Sequence, residues 1–480
     1  MRRSIALLGF APMEPLPGDD GSSHADGGRR PRESAARPAS PHAGGQGALA
    51  PGSAATSSER DRAILEAIAQ ERGSMEELAA RLVEAPTVLG DEQPGQAVMR
   101  EALEGLGLRP VDVAMDADAL RAHPGHSPFS WDVGGKANVV ATWEPAPGTN
   151  EAPGRSLILN GHIDVVSPEP LARWGTSPFH ASRDGDWMYG RGAADMKSGL
   201  AAIIGAVAGL KRLGASPRAP VTLESVVEEE CTGNGTLQCI LAGYTADAAI
   251  VAEPFGAGIT TSQVGVLWFD VRVAGVPGHA GEERPGSNAI EQSYALLRAL
   301  RGLEAELNVA PPPPYDRLAH PISINVGVIR GGDWPSTAPG ECVTSYRIAL
   351  YPGMGIRDLQ DRIEAVVAEV AAADPAFPEP PQVLYDGFAS HGYSIGDDAP
   401  LVAALAGAFG RATGGPPALV PTTGTSDAGM LGLYGETPAV CFGPYAEQVH
   451  AVDERVYLPS IVRTAQVLGL FIADWCGLDG

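Results

Sequence analysis

GRGAADMKSG, residues 190–199, holds one acid, Asp195, in a glycine-flanked turn, and GLAAIIGAVAGLKRLG (199–214) follows as an almost wholly apolar helix. A helix without a polar face is buried all round, so it belongs inside a layered fold. An acid between such a turn and such a helix is either a helix cap, satisfying the free N–H groups of the first turn, or a metal ligand or catalytic acid. The stretch by itself leaves both open.

Outward from it, ANVVATWEP (137–145), SLILNGHIDVV (156–166), PVTLESVVEEE (220–230) and ADAAIVAEP (246–254) are apolar runs rich in β-branched residues and bounded by turn residues. They read as buried strands. Strand, helix and strand in this rhythm predict an α/β sheet covered on both faces, and strand ends in such sheets collect functional residues.

Past Gln263 the pattern changes. VGVLWFDVRVAG (264–275) alternates as a half-exposed antiparallel strand does. A helix over 288–307, a loop with four prolines at 311–314, strands in HPISINVGVIRGG and ECVTSYRIALYP, a helix over 356–373 and a strand in PQVLYDGFA complete the set. β-α-β-β-α-β is the ferredoxin-like arrangement, here an inserted domain at 265–388. The α/β domain is then 60–264 and 389–480, closed by helices in LVAALAGAFGRATG and PSIVRTAQVLGLFIADW. Amphipathic helices in ERDRAILEAIAQERGSMEELAARLVEAP (59–86) and near 96–107 open it. Residues 1–59 are Gly, Pro, Ser, Ala and charge with few large apolar groups, a composition that stays disordered.

The 480 residues carry 58 Asp+Glu against 34 Lys+Arg, a net charge of −24, which argues against a nucleic-acid or anionic-membrane partner. Five scattered cysteines with no CxxC pair oppose a disulfide framework or thiolate zinc site and suit a reducing cytoplasm. No apolar run reads as long enough to span a bilayer. MRRSIALLGFAPM loosely resembles a signal or twin-arginine leader, but its apolar part is short, interrupted by proline, and lacks a cleavage site. A cytoplasmic location is expected.

Acids and histidines stand at or just beyond the strand ends: His162 and Asp164, Asp195, Glu228 to Glu230, Glu253, and later His450 in GPYAEQVH. Singly, each has an ordinary structural reading. Together they place many charges where buried strands end, and buried charge must be paired or bound to metal. Histidine with carboxylate, without cysteine, is the ligand set of hydrolytic zinc, manganese or cobalt sites. Spacing alone goes no further.

GHIDVV, GRGAADMKSGLAA, VVEEECTGNG, VAEP, PGHAG and the late His450 resemble, in this order, the motifs of the M20 metallopeptidase and deacylase family, from about residue 60 to the end. The resemblance implies an α/β two-metal catalytic domain with an inserted lid that forms a homodimer. His162, Asp195 and Glu253 would hold one divalent ion, Asp195, Glu230 and His450 the other, with Asp195 and a hydroxide as bridges. Zinc is the expected metal, cobalt or manganese the alternatives. Asp164 is expected to orient the His162 ring. Glu229 matches the general base, Glu228 the acid that precedes it, and His279 the lid histidine that reaches a partner's site to stabilise the oxyanion. Asn288 and Asp427 match residues near the substrate. Two departures bear on the substrate. Relatives often carry Arg where Ala349 stands, while here Arg347 lies two residues earlier on the same strand face; and Gly429 replaces another frequent Arg. The implied reaction is hydrolysis of an amide in a small N-acyl or N-formyl amino acid or amine. The alternatives are a di- or carboxypeptidase on the same scaffold or a metal-binding protein without catalysis. A phosphoesterase is disfavoured by the absence of a phosphate-cradling Gly-rich loop with lysine.

Overall fold

The computed structural model describes residues 58–147, 154–255, 258–282 and 287–479. The low-complexity head falls outside them except for Ser58 and Glu59. Ser58 caps the first helix, Glu59–Gln70, by accepting from the Asp61 N–H.

Among the described residues the main sheet has nine strands. From one edge its order is Val111–Ala114, Ala137–Trp143, Val221–Val226, Leu157–His162, Ala249–Val251, Ala439–Cys441, Ile259–Gln263 and Tyr393–Ser394, with Leu419–Thr422 also pairing Ile259–Gln263. The four strands from Val221–Val226 to Ala439–Cys441 run parallel. Every residue of Val221–Val226 and Leu157–His162 is buried, which is why they read as continuous runs rather than alternating ones.

Helices cover both faces. On Leu157–His162, Gly161 faces Met196 and Leu200 on one side, while Asn160 donates to Thr236 in Asn234–Leu241 on the other. Helix Ser198–Arg212 is buried along nearly its whole length, and each fully buried Leu or Ile contributes roughly 1.5–3 kcal/mol. A Cβ at Gly199 would lie 2.1 Å from the Ala252 carbonyl oxygen, so glycine lets this helix press against the segment that leads to Glu253. By length and composition 193–212 is apolar enough to cross a membrane, contrary to the sequence expectation. With 94% of its most apolar 18-residue stretch buried inside the protein, its apolarity is accounted for by the core.

A second sheet is entirely antiparallel, ordered Ile324–Gly331, Glu341–Leu350, Gly265–Ala274 and Gln382–Leu384, with Ala389–Ser390 further along Gly265–Ala274. Helices Ala289–Leu307 and Ile356–Ala373 accompany it, giving a β-α-β-β-α-β sequence with its own core of residues between Val264 and Val367. A small four-stranded sheet joins Ser182–Asp184, Trp187–Tyr189, Ala446–Glu447 and Arg455–Tyr457. It ties the chain just before Asp195 to the chain around His450.

Candidate metal centre

The four parallel strands bring their carboxyl ends to one edge of the sheet, and the residues just past them meet there. Leu157–His162 delivers His162 and then Asp164; Val221–Val226 leads to Glu228, Glu229 and Glu230; Ala249–Val251 leads to Glu253. Ala439–Cys441 opens the segment that reaches His450. Asp195 comes from the turn ahead of Ser198–Arg212.

Asp195 is not a helix cap, since the N-terminus of Ser198–Arg212 has no side-chain cap bond. Its Oδ1 lies 3.0 Å from His162 Nε2 and its Oδ2 3.4 Å from His450 Nε2. One carboxylate thus faces both histidines. The backbone leaves helical geometry at Asp195 (φ −112°, ψ 102°) and Met196 (φ −127°, ψ 31°), and the peptide between them is cis.

Two groups of potential ligands share this residue. His162, Asp195 and Glu253 form one, and Asp195, Glu230 and His450 the other; within each, the ligand atoms lie within 4.8 Å of one another. His162 Nδ1 is 3.0 Å from the Asp164 carbonyl oxygen. A carbonyl only accepts, so Nδ1 carries a proton, and Nε2 is the ring nitrogen turned toward the carboxylates. His162 and Glu253 are buried, whereas the His450 side chain is 48% exposed.

Asp164 orients the ring differently from the sequence expectation. Its carboxylate stands 3.7 Å from His162 Nδ1, and its backbone carbonyl makes the closer contact. The carboxylate oxygens accept instead from the Glu229 and Glu230 N–H groups, at 3.3 and 3.1 Å. Two donors at a buried strand end offer the carboxylate more than one distant ring nitrogen.

The three glutamates point in different directions. Glu228, at φ 63°, turns away: Lys136 Nζ (2.8 Å) and Trp131 Nε1 (2.7 Å) donate to Oε1, and Thr232 Oγ1 (3.1 Å) donates to Oε2. Glu229 Oε2 lies 3.8 Å from His162 Nε2, beside both ligand groups and in neither. Glu230 lies 3.1 Å from His450 Nε2.

The donor set fits divalent cations. Among the described residues, no lysine or arginine pairs with Asp195, Glu229, Glu230 or Glu253; their ionic neighbours are the two histidines. Burial and the surrounding carboxylates push Glu229 and Glu253 well above the ordinary range. Burial favours a neutral His162 ring, yet the Asp195 hydrogen bond and nearby acids raise it well above its usual value. Against its partial desolvation, His450 is pushed up to about 11 by Glu230 and Asp195. A cluster that draws protons this strongly is short of positive charge, and hard cations with oxygen and imidazole ligands supply it.

The remaining expected residues lie further out. His279 is exposed on the second sheet's side of the chain, bridged to Thr337 and accepting at Nδ1 from the Gly281 N–H; among the described residues it makes no hydrogen bond or ion pair to the two groups. Asn288 is the N-cap of Ala289–Leu307, with Oδ1 accepting from Ile290 and Glu291. Arg347 reaches the Thr423 carbonyl at 3.4 Å and has no acidic partner among the described residues. Asp427 is buried at the start of Asp427–Tyr434, and burial raises its carboxyl to about 6. At Gly429, a Cβ would lie 2.6 Å from Gln263 Nε2, which is anchored on the Ser426 carbonyl, so a larger residue there would require Gln263 to give up that bond and shift. Lys136, Arg191 and Glu454 are among the buried charged residues that escaped the sequence reading. The signal for two was present, because Arg191 lies inside GRG and Glu454 four residues past His450.

The profile of peptidase family M20/M25/M40 matches residues 158–474, the greater part of the chain. The chain belongs to this family. This M20 chain is 32% identical over 374 residues to N-formyl-4-amino-5-aminomethyl-2-methylpyrimidine deformylase of Halalkalibacterium halodurans, spanning 72% of this chain and 85% of that protein. It is 27% identical over 411 residues to succinyl-diaminopimelate desuccinylase of Dinoroseobacter shibae, spanning 83% and 98%. A dipeptidase structure from Saccharomyces cerevisiae shares the fold, with a TM-score of 0.71 at 14% identity over 87% of this chain and 98% of that one. The protein is a metal-dependent hydrolase on the M20 scaffold.

Proposed function

We propose that this enzyme hydrolyses the amide bond of a small N-acyl or N-formyl amine or amino acid, with Glu229 as general base. The observation that carries the reading is the place of Glu229: beside two histidine–carboxylate groups that share Asp195, belonging to neither, and, among the described residues, without a lysine or arginine partner. The deformylase and desuccinylase relatives support an acyl substrate.

His162, Asp195 and Glu253 would hold one divalent cation, and Asp195, Glu230 and His450 a second, zinc being the proposed metal. Such a pair lowers the pKa of a water and polarises the scissile carbonyl. Glu229 accepts the water's proton as the new C–O bond forms at the carbonyl carbon, then passes it to the departing nitrogen as the C–N bond breaks. The products are a carboxylate, formate for a formyl group, and an amine. Asp164 keeps Glu229 and Glu230 in place through their N–H groups. Arg347, lacking an acidic partner, would hold an anionic group on the substrate. We propose further a homodimer in which His279 of one subunit donates to the oxyanion of the other, and a cytoplasmic location, supported by five buried free thiols.

The test is a cobalt- or zinc-loaded assay of N-formyl amines, N-acyl amino acids and dipeptides, with metal analysis of the same sample. Turnover of the N-acyl compounds with close to two ions per chain is expected. Faster turnover of dipeptides would move the assignment to the peptidase reading, and no bound metal after reconstitution would defeat both.

A further inference from the structure

We propose that the buried Arg191–Glu454 ion pair is a positioning element that sets Asp195 and His450 in register, so that the group formed by Asp195, Glu230 and His450 assembles only while the pair is intact. The inference rests on the two-cation reading above.

The pair spans the two segments that supply those ligands. Arg191 lies four residues before Asp195 and Glu454 four residues after His450, and their side chains are 2% and 1% exposed. Glu454 Oε2 pairs with Arg191 Nη1. Its Oε1 accepts from the Ala194 and Asp195 N–H groups at 2.9 and 3.0 Å. Because Asp195 leaves helical geometry, its N–H depends on an acceptor outside the helix, and Glu454 is that acceptor. From the other side, the Gly190 N–H donates to the Glu454 carbonyl at 3.0 Å.

Arg191 holds the second ligand. Its Nη2 donates to the His450 and Ser167 carbonyls, each at 3.4 Å, while its guanidinium lies 5.3 Å from the Trp174 ring centroid. The His450 segment needs such anchors. Gln448, His450 and Asp453 have φ between 56° and 62°, a left-handed conformation that non-glycine residues rarely adopt unaided. Asp453 is anchored too, its Oδ1 accepting from the Gly175 N–H at 2.8 Å.

A buried ion pair is a poor device for stability alone, because apolar residues of similar volume commonly do as well. What it offers is direction: a planar guanidinium and a carboxylate fix several partners at once. Here the partners are backbone atoms of Asp195 and His450 themselves, one N–H and one carbonyl.

The experiment compares wild type with Arg191→Met, Glu454→Gln, Glu454→Ala and the double variant Arg191→Met/Glu454→Gln. Zn²⁺ affinity is read by calorimetry, ligand geometry by the visible spectrum of the Co²⁺ form, and kcat and KM separately. Arg191→Met and the double variant should bind the second ion roughly 10–100-fold more weakly. The Co²⁺ spectrum should change, and kcat should fall while KM holds. Glu454→Gln, which keeps an acceptor for the two N–H groups, should lose less than Glu454→Ala. The double variant leaves no unpaired buried charge, so weakened binding at a wild-type Tm assigns the effect to positioning. If the double variant is less stable, the order wild type, Gln, Ala carries the same comparison. Two ions bound at wild-type affinity with an unchanged Co²⁺ spectrum in the double variant and in Glu454→Ala would overturn the proposal. Fewer than two ions in wild type would overturn the reading beneath it, and this inference with it.

Discussion

Glu228 at φ 63° folds its carboxylate back onto Lys136, Trp131 and Thr232, and this reversal sends Glu229 and Glu230 forward to the histidines. The two neighbours Glu228 and Glu229 should therefore fail differently when neutralised. Glu229→Gln should cut kcat by roughly 10²–10⁴ while the protein still binds its metal and melts near the wild-type Tm. Glu228→Gln weakens a buried ion pair, a loss of up to roughly 3–5 kcal/mol, tempered because Glu92 remains 2.8 Å from Lys136 Nζ. Its signature is a lowered Tm with metal stoichiometry unchanged; the reverse pattern in the two variants would exchange their roles. Asp195→Asn separates the two readings open to GRGAADMKSG. A helix cap tolerates the change, since Asn caps about as well as Asp. A carboxylate facing both His162 and His450 does not, and metal analysis of Asp195→Asn should show uptake of both ions impaired.

At the scale of elements, Glu304 fastens helix Ala289–Leu307 to the strand Ile324–Gly331. It accepts from the Ile324 N–H at 2.7 Å, from His320 Nε2 at 2.9 Å and from Arg301. Although burial opposes it, these bonds, the Ile324 N–H first, hold its carboxyl below the ordinary value of 4.5. A carboxyl depressed in the folded state stabilises fully above its unfolded pKa, and that contribution disappears as pH falls from there through the folded value. Glu304→Gln should thus lower stability by about 1.5–3 kcal/mol near neutrality, and the difference from wild type should shrink below about pH 4.5 in acid-unfolding curves. A gap that stays constant into acid would mean the ionised form is not the stabilising one. The elements themselves were largely legible. LILNGH, VTLESV and AIV are buried on both faces, so they appear in the sequence as uninterrupted apolar runs that end in charge. The alternation of VGVLWFDVRVAG marked the change to a half-exposed sheet. The sheet of Ser182–Asp184, Trp187–Tyr189, Ala446–Glu447 and Arg455–Tyr457 was not legible, because strands of two or three residues carry no periodicity. Nor was the turn of the Asp164 carboxylate toward Glu229 and Glu230, or the pairing of Arg191 with Glu454. Those depend on which segments meet in space, and local pattern does not encode it.

For the molecule as a whole, the second sheet ends in an open edge. Among the described residues Ile324–Gly331 pairs with Glu341–Leu350 alone, and along it Val328 and Ile329 are 39% and 47% exposed. Trp334 in the following turn and Tyr294 on Ala289–Leu307 are also exposed apolar groups. An uncovered edge strand with such side chains suits pairing with a second copy, and a symmetric pair would apply the same strand twice. His279, exposed and, among the described residues, without a hydrogen bond or ion pair to its own chain's histidine–carboxylate groups, would then be available to the other subunit of the proposed dimer. The double substitution Val328→Lys/Ile329→Lys should halve the mass seen by sedimentation and reduce kcat to the level of His279→Ala, itself lowered by about 10²–10³ if it removes an oxyanion donor. The decisive measurement is complementation. His279→Ala and Glu229→Gln should each be nearly inactive alone. In a mixed dimer, one site combines Glu229 of the first variant with His279 of the second. Equal mixing with full exchange makes half the dimers mixed, each with one intact site, so activity should return to roughly a quarter of wild type. Dimers that exchange subunits yet recover nothing would place His279 outside the partner's chemistry, and recovery that vanishes with Val328→Lys/Ile329→Lys would tie it to this edge.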